Sequence, residues 1–156
     1  MPAGRRVEAM ARIARGRQFL EQAAARHTQD EAFKLLGLVW SKGSTAEISR
    51  QRDRVLELQR ADGGWGQRPT MNPDAYQTGQ VLYALYASGV PATSGAYQKG
   101  VQFLLRNQLE DGTWFMQSRA FAFQPYFETG FPHGTNQFIS AAATSWAAIA
   151  LTYAMF

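Results

Sequence analysis

The sequence predicts an all-α fold made of three α-hairpin repeats. Apolar residues recur at helical spacing, and no stretch alternates apolar and polar residues as a half-buried strand does. Breakers that contain Gly or Pro divide the chain into six helical stretches, which align in pairs along the sequence. With 156 residues, 46% of them hydrophobic and 18% charged, the chain is long enough to form one ordered domain with a core.

The six predicted helices form two classes that alternate along the chain. They are expected at 5–26, 29–41, 45–60, 74–88, 95–109 and 137–155. They pair into repeats at about 5–43, 45–90 and 94–156, within one domain that covers 1–156. The first helix of each pair has a charged face, whereas the second carries less charge and, in the last pair, is rich in Ala and uncharged. We therefore predict an outer layer of amphipathic helices around an inner layer of apolar ones.

Two of the hairpins contain the same short motif. LQRADGGWG (58–66) and RNQLEDGTW (106–114) share the spacing of Gln, Gly and Trp, at Gln59, Gly63 and Trp65 and at Gln108, Gly112 and Trp114. The Gly lets the chain leave a helix through a left-handed residue, and the Trp can fold back onto that helix. The Gln amide can bond unpaired backbone groups at neighbouring helix ends. We therefore predict a structural role for this motif.

The composition excludes several classes of function. The chain has no Cys, which excludes disulfides, thiolate nucleophiles and Cys-ligated zinc. The chain has only two histidines, His27 and His133, so we predict no metal site built on imidazoles and no cofactor, whereas the composition leaves carboxylate sites for hard cations open. The excess positive charge lies in the first helix, where arginines interleave with apolar residues as on a solvated amphipathic helix. We therefore expect no nucleic-acid partner.

The ends of the chain bear on its location. No apolar segment with a cleavage site occurs near the N-terminus, so we expect no export signal and, by default, a cytoplasmic protein. The segment 134–156 carries no charge, but its Ser, Thr and Ala residues make it weakly apolar. We predict a helix buried on all sides within the protein. A tail anchor in a membrane is the less favoured alternative.

The long connection between Trp114 and the last helix is the most distinctive loop. Loops of this length are usually functional or pack as lids. We favour a covering role, in which the aromatic rings of the loop close the open end of the helical layer. The alternative is a pocket for an apolar or cationic ligand, with Phe123, Tyr126, Phe131 and Phe138 as the binding residues.

Three residues are weak candidates for acid–base chemistry. Glu128 and His133 lie in the aromatic loop, and a carboxylate beside apolar rings has a raised pKa. Asp74 could act as a general acid, although its position at a helix start, after Asn72 and Pro73, explains it without catalysis. We predict no catalytic residue with a defined role.

Several segments resemble one family of enzymes. KGVQFLLRNQLEDGTW (99–114) resembles the QW repeat of squalene-hopene cyclases and oxidosqualene cyclases, and LQRADGGWG resembles its second half. TGFP (129–132) is similar to a segment near the C-terminus of the bacterial cyclases, and 76–89 to the inner helix before their last QW repeat. The resemblance covers about 50–156 and implies part of an α/α-toroid, a ring of helical pairs in two layers.

The resemblance also identifies catalytic residues of the family that this sequence lacks. The cyclases protonate their substrate with an Asp-x-Asp-Asp motif, which the five aspartates here do not form: Asp30, Asp53, Asp62, Asp74 and Asp111. The family's TGFP phenylalanine lines a cavity that stabilises carbocations, which implies this role for Phe131, but a second cavity aromatic is replaced by Thr135. We therefore favour a non-catalytic module for association or for binding an isoprenoid-like ligand. The alternative is a terpene-cyclase-type enzyme, an isomerase, or a part of one.

The resemblance carries an expectation about partners. A closed toroid needs about six helical pairs, and an open array of three exposes apolar surface at both ends. We therefore expect a homodimer, or a partner domain that completes the ring.

Overall fold

The computed structural model describes residues 3–121 and 125–154. Within these residues it contains six α-helices and no strand, which confirms the all-α prediction. The helices are α1 (Ala3–Gln22), α2 (Thr28–Trp40), α3 (Thr45–Glu57), α4 (Ala75–Ala87), α5 (Gly95–Arg106) and α6 (Gln137–Ala154). A 3-10 turn (Gly134–Asn136) precedes α6.

Three helices end three or four residues earlier than their periodicity predicts, whereas the ends of the other helices agree to within one residue. α1 ends at residue 22 rather than 26, α3 at 57 rather than 60, and α5 at 106 rather than 109. After α1, the carboxylate of Asp30 accepts the backbone N–H groups of Arg26 and His27, so these two residues belong to the start of α2. After α3 and α5, the missing residues belong to the hairpin turns that carry the repeated motif.

The helices form the predicted two layers. α2, α4 and α6 lie side by side in the inner layer, with α4 in the middle and its longest contact along α6. In the outer layer α1 packs on α2, α3 on α2 and α4, and α5 on α4 and α6. The core therefore centres on α4, whose Val81, Leu82, Ala84 and Leu85 are fully buried. This arrangement is part of an α/α-toroid.

α6 differs from the helix that we predicted to be buried on all sides. One stripe of it is buried, at Ser140, Ala143, Ala147 and Ala150. The opposite face is exposed because α4 and α5 pack against one side of α6 only. No helix in residues 3–121 and 125–154, α6 included, has the length and apolar character that crossing a bilayer requires.

The two QW hairpins have the same geometry. Gly63 and Gly112 adopt positive φ values of 90° and 81°, which a residue with a Cβ rarely adopts. The indole N–H of each Trp donates to the preceding outer helix, Trp65 to Val55 O and Trp114 to Leu104 O, both at 2.9 Å. The hairpin therefore holds each Trp against its own outer helix.

The same hairpins also bind the following inner helix. The backbone N–H of Trp65 donates to the hydroxyl of Thr78 on α4 at 3.0 Å, and that of Trp114 donates to the hydroxyl of Thr144 on α6 at 3.1 Å. Both threonines lie at equivalent positions of their repeats. Each hairpin thus joins an outer helix to the inner helix of the same pair.

The two motif glutamines differ in the hydrogen bonds that their side-chain amides donate. Gln59 Nε2 donates to Gly63 O at 2.9 Å and also to Ala96 O, in the first turn of α5, at 2.8 Å. Gln108 Nε2 donates to Gly112 O at 2.9 Å and is exposed. Gln59 therefore connects one repeat to the next, whereas Gln108 closes its own turn.

We expect the two Gln→Ala substitutions to have unequal effects. Gln59→Ala removes two hydrogen bonds at a half-buried site and should lower the free energy of unfolding by about 2 kcal/mol. Gln108→Ala removes one bond at an exposed site and should cost less than about 1 kcal/mol. Urea denaturation followed by circular dichroism measures both. Equal losses would show that the contact to α5 contributes nothing.

Tyr97 links the outer and inner layers of the last repeat. Its ring is fully buried, and its hydroxyl donates to Ala150 O on α6 at 3.1 Å. Burial, with smaller contributions from Tyr86 and Tyr153, raises the pKa of Tyr97 to about 12. The hydroxyl therefore stays protonated, and remains a donor to α6, throughout the neutral range.

Candidate functional site

The first part of the aromatic loop is fastened to the start of α6. Met116 N–H donates to the hydroxyl of Ser140 at 3.0 Å, and this hydroxyl lies 3.2 Å from Met116 O. Ser118 N–H donates to the side-chain oxygen of Asn136 at 2.8 Å. Met116 is buried. These contacts fix residues 116–118 across the first turns of α6.

The second part of the loop is fastened by one buried amide. Gln137, the first residue of α6, is 1% exposed. Its Nε2 donates to Phe127 O at 2.7 Å, and its Oε1 accepts from the backbone N–H of Thr129 at 3.1 Å and from the Thr129 hydroxyl. Because every polar atom of this amide is bonded, Gln137 holds residues 127–129 over the end of α6.

The loop and the inner helices line a cavity of about 430 Å³ that is open to solvent on one side. It lies at the N-terminal ends of α2, α4 and α6, since it is lined by the second residue of each helix, Gln29, Tyr76 and Phe138. Apolar groups make up most of its wall, contributed by Tyr76, Met116, Ala120, Phe138 and Ile139. Its volume and lining are those of a small-molecule site.

A polar rim borders this cavity. Arg119 lies in the rim and donates from Nη1 to Gln67 Oε1 at 3.1 Å and from Nη2 to Asp74 Oδ2 at 2.8 Å. Asp74 also caps α4, because its Oδ1 accepts from the backbone N–H of Gln77 at 2.8 Å. The other polar lining groups are neutral: Gln29, Gln67, Gln117, Ser118 and Thr135.

The structure separates the aromatic residues that the sequence grouped as a ligand site. Phe138 lines the cavity, beside Thr135. Tyr126 and Phe131 are 54% and 51% exposed and lie outside the cavity wall. Phe123 lies outside the described residues. The predicted set therefore contributes Phe138 to the cavity, whereas most of the apolar wall comes from residues that the sequence did not single out.

The three acid–base candidates have separate partners. Glu128 accepts the Tyr126 hydroxyl and, at 2.7 Å, the backbone N–H of Gly130. The Tyr126 bond, followed by the Gly130 bond, lowers the pKa of Glu128, so the expectation of a raised pKa was wrong. His133 Nε2 instead lies 2.8 Å from the Thr113 hydroxyl, and both oxygens of Asp74 accept hydrogen bonds at the rim. These contacts do not form a Glu128–His133 acid–base pair.

The structure adds a group of rings that the sequence reasoning missed. We call it the aromatic ladder, and it comprises Phe33, Trp146, Tyr83, Tyr153 and Tyr86. Successive ring centroids are 6.2, 6.0, 5.9 and 4.1 Å apart, which is contact distance for aromatic pairs. The ladder runs across all three inner helices, and its end members, Phe33 and Tyr86, are 39% and 42% exposed.

The ladder had a signal in the sequence. Tyr83 and Tyr86 are three residues apart on α4, and Trp146 and Tyr153 are seven apart on α6, so each pair shares a helix face. On α4, Leu82 packs toward Gly100 of α5 and the ring of Trp65, whereas the tyrosines contact the aromatic rings of α6.

Among the described residues, no three His, Asp or Glu side chains lie close enough to hold a metal ion.

Two layers of helical hairpins, with an apolar cavity at the N-terminal ends of the inner helices, define a helical-repeat protein of the α/α-toroid class. The family model described as squalene-hopene cyclase C-terminal domain matches residues 13–155. The chain therefore belongs to the squalene-hopene cyclase C-terminal domain family.

Lanosterol synthase of Homo sapiens is similar to this chain. The two sequences are 32% identical over 104 residues, which is 60% of this chain and 14% of the synthase. The chain thus spans a small part of the length of that relative. The likeness agrees with the resemblance of the QW segments to the cyclases.

Proposed function

We propose that the chain is a non-catalytic, cyclase-like module that binds an apolar, isoprenoid-like small molecule. The observation that carries the proposal is the cavity at the inner-helix ends, with its wall of Tyr76, Met116, Phe138 and Ile139. A small-molecule site typically combines such an apolar wall with a few fixed polar groups. Membership of the squalene-hopene cyclase family supports an isoprenoid hydrocarbon as the ligand class.

The proposal is tested by closing the cavity. Squalene and the isoprenoid alcohol farnesol serve as probes, with binding followed by tryptophan fluorescence and checked by equilibrium dialysis. Thr135→Trp places a large ring in the cavity lining and should weaken binding at least tenfold. The matched control is Thr93→Trp, because Thr93 is exposed beyond the C-terminal end of α4, far along the chain from the lining residues. Equal binding by both variants would place the ligand elsewhere.

Catalysis of the cyclase type is the second candidate. The aromatic ladder favours it, because aromatic faces attract cations. Against it, the sequence lacks the clustered aspartates with which the resembled cyclases protonate their substrate. Incubation of the purified chain with squalene, followed by gas chromatography, separates the two functions. A cyclised product that requires folded protein would replace the non-catalytic proposal.

We also propose that the module associates with a second copy through the open face of α6. Ser145, Ala148, Ile149 and Thr152 are exposed, carry no charge and share one face through their i, i+3, i+4 and i+7 spacing. Light scattering after size exclusion at micromolar concentration should give a dimer. Ile149→Glu should yield monomers, whereas Leu105→Glu on outer helix α5 should not. A wild-type monomer would contradict the homodimer and favour a partner domain.

A further inference from the structure

We infer that the cavity takes an amphiphile with a single uncharged polar end, such as an alcohol, and that Arg119 binds this end. The inference rests on the proposed function and narrows its ligand class. It starts from the one cation among the cavity-lining residues, Arg119, and from what already surrounds that cation.

Arg119 is held in place on two sides. Gln67 accepts a hydrogen bond from its Nη1 and Asp74 accepts one from its Nη2, and both residues lie in the loop between α3 and α4. The guanidinium has five N–H donors in a rigid plane, and these two bonds use two of them. The side chain is 36% exposed, so the group is anchored and still accessible from the cavity. A fixed donor at the rim of an apolar cavity is suited to orient a ligand.

The local charge argues against an anionic end. Asp74 lies 2.8 Å from Arg119 and is only 12% exposed, so the positive charge of the rim is already balanced. The N-terminal ends of α2 and α4, which would attract an anion, are likewise occupied by Asp30 and Asp74. A phosphate or carboxylate would therefore meet a cation that is already paired with a carboxylate. A hydroxyl or carbonyl oxygen needs only a donor.

The remaining lining fits the same ligand. Gln29, Gln117, Ser118 and Thr135 add neutral donors and acceptors beside Arg119, and the rest of the wall is apolar. Most of the ligand surface is therefore hydrocarbon, with its polar atom confined to one end. Among molecules of equal chain length, the cavity therefore favours those whose polar end can accept a hydrogen bond from Arg119.

Three saturated probes with the same carbon skeleton test this inference: hexahydrofarnesol, its parent hydrocarbon farnesane, and hexahydrofarnesyl phosphate. Equilibrium dialysis should show wild-type protein binding hexahydrofarnesol about tenfold more tightly than farnesane, as one hydrogen bond to a charged group at a partly exposed site allows. It should bind the phosphate no more tightly than the alcohol. Arg119→Met should abolish the preference for the alcohol and leave farnesane affinity within about twofold.

Two further variants separate ligand recognition from a merely structural role. Arg119→Lys keeps a cationic donor and should retain part of the preference for the alcohol. Arg106→Met removes an arginine that bonds Asp62 O outside the cavity lining and should change neither affinity. Melting temperatures establish that each variant is folded. If Arg119→Met does not fold, the wild-type comparison of alcohol with hydrocarbon decides the question by itself.

The outcomes distinguish this inference from the proposed function. Equal wild-type affinity for alcohol and hydrocarbon would overturn the role of Arg119 while leaving an apolar site in place. Tighter binding of the phosphate would overturn the uncharged end. A loss of farnesane affinity in Arg119→Met equal to the loss of hexahydrofarnesol affinity would show that Arg119 only supports the fold of the rim. Binding of none of the three would refute the apolar-ligand function itself.

Discussion

Trp65→Ala is expected to lower the free energy of unfolding by about 4 kcal/mol, as truncation of a fully buried Trp does. Trp65 is 0% exposed and lies between two repeats. Its indole N–H bonds Val55 O on α3, and its ring lies so close to α5 that a Cβ built at Gly100 would come within 2.9 Å of Cζ3. Truncation therefore removes a hydrogen bond and opens a cavity between α3, α4 and α5.

The chain offers a matched control for this substitution. Trp40, at the end of α2, is 61% exposed, so Trp40→Ala should cost less than about 1 kcal/mol. Trp114→Ala should fall between them, at about 3 kcal/mol, since Trp114 is buried and keeps the same bond to its own outer helix. Urea denaturation followed by circular dichroism ranks the three variants. A cost for Trp65→Ala as small as that for Trp40→Ala would refute the role of the motif in joining repeats.

The existence and pairing of the helices could be predicted because both depend on local sequence. Apolar periodicity identifies each helix, and the spacing from Gln59 to Trp65 identifies the hairpin, whose bonds lie mostly within a few residues. The helix ends were less accurate because capping side chains decide them. Asp30, for example, draws Arg26 and His27 into the start of α2, although their apolar neighbours continue the pattern of α1.

The cavity and the aromatic ladder could not be predicted in the same way. Both depend on how α2, α4 and α6 are rotated relative to one another, and no local pattern encodes that rotation. Tyr76 shows the difference, since its place in a helix was predictable but its place in a cavity wall was not. The prediction for Glu128 failed for a more local reason. The hydrogen bonds from Tyr126 and Gly130, two residues away on either side, determine the direction of its pKa shift, and not the apolar rings of the loop.

The burial of two side-chain amides on α4 could not be predicted from the sequence either. Gln77 and Gln80 are 0% and 1% exposed, and in the part of the chain that the structure describes, none of their side-chain N and O atoms has a hydrogen-bond partner. A polar residue on a helix is normally assigned to its outer face. Here α2 and α6 cover both sides of α4, so even its polar residues are enclosed. The inner position of α4 therefore overrides the polarity of these two residues.

The closeness of α4 and α6 leads to the second large expected effect, in Gly79→Ala. A Cβ built at Gly79 would lie 2.5 Å from the carbonyl carbon of Trp146, 2.7 Å from its oxygen and 2.8 Å from the nitrogen of Ala147. These are backbone atoms, which cannot rotate away, so the two helices must separate. We expect the free energy of unfolding to fall by roughly 3 kcal/mol, as in other overpacked cores.

The direction of the change in stability distinguishes Gly79→Ala from an ordinary Gly→Ala substitution in a helix. In a helix with open surroundings, Gly→Ala stabilises by about 1 kcal/mol, because Ala loses less backbone entropy on folding. Gly16 in α1 supplies that case, since a Cβ there would meet nothing within 4 Å. Gly16→Ala should therefore raise the melting temperature while Gly79→Ala lowers it. Because Trp146 contacts Tyr83 in the aromatic ladder, Gly79→Ala should also shift the near-ultraviolet circular dichroism of the folded protein, and Gly16→Ala should not. Stabilisation by both substitutions would mean that α4 and α6 lie further apart than their backbone contact here implies.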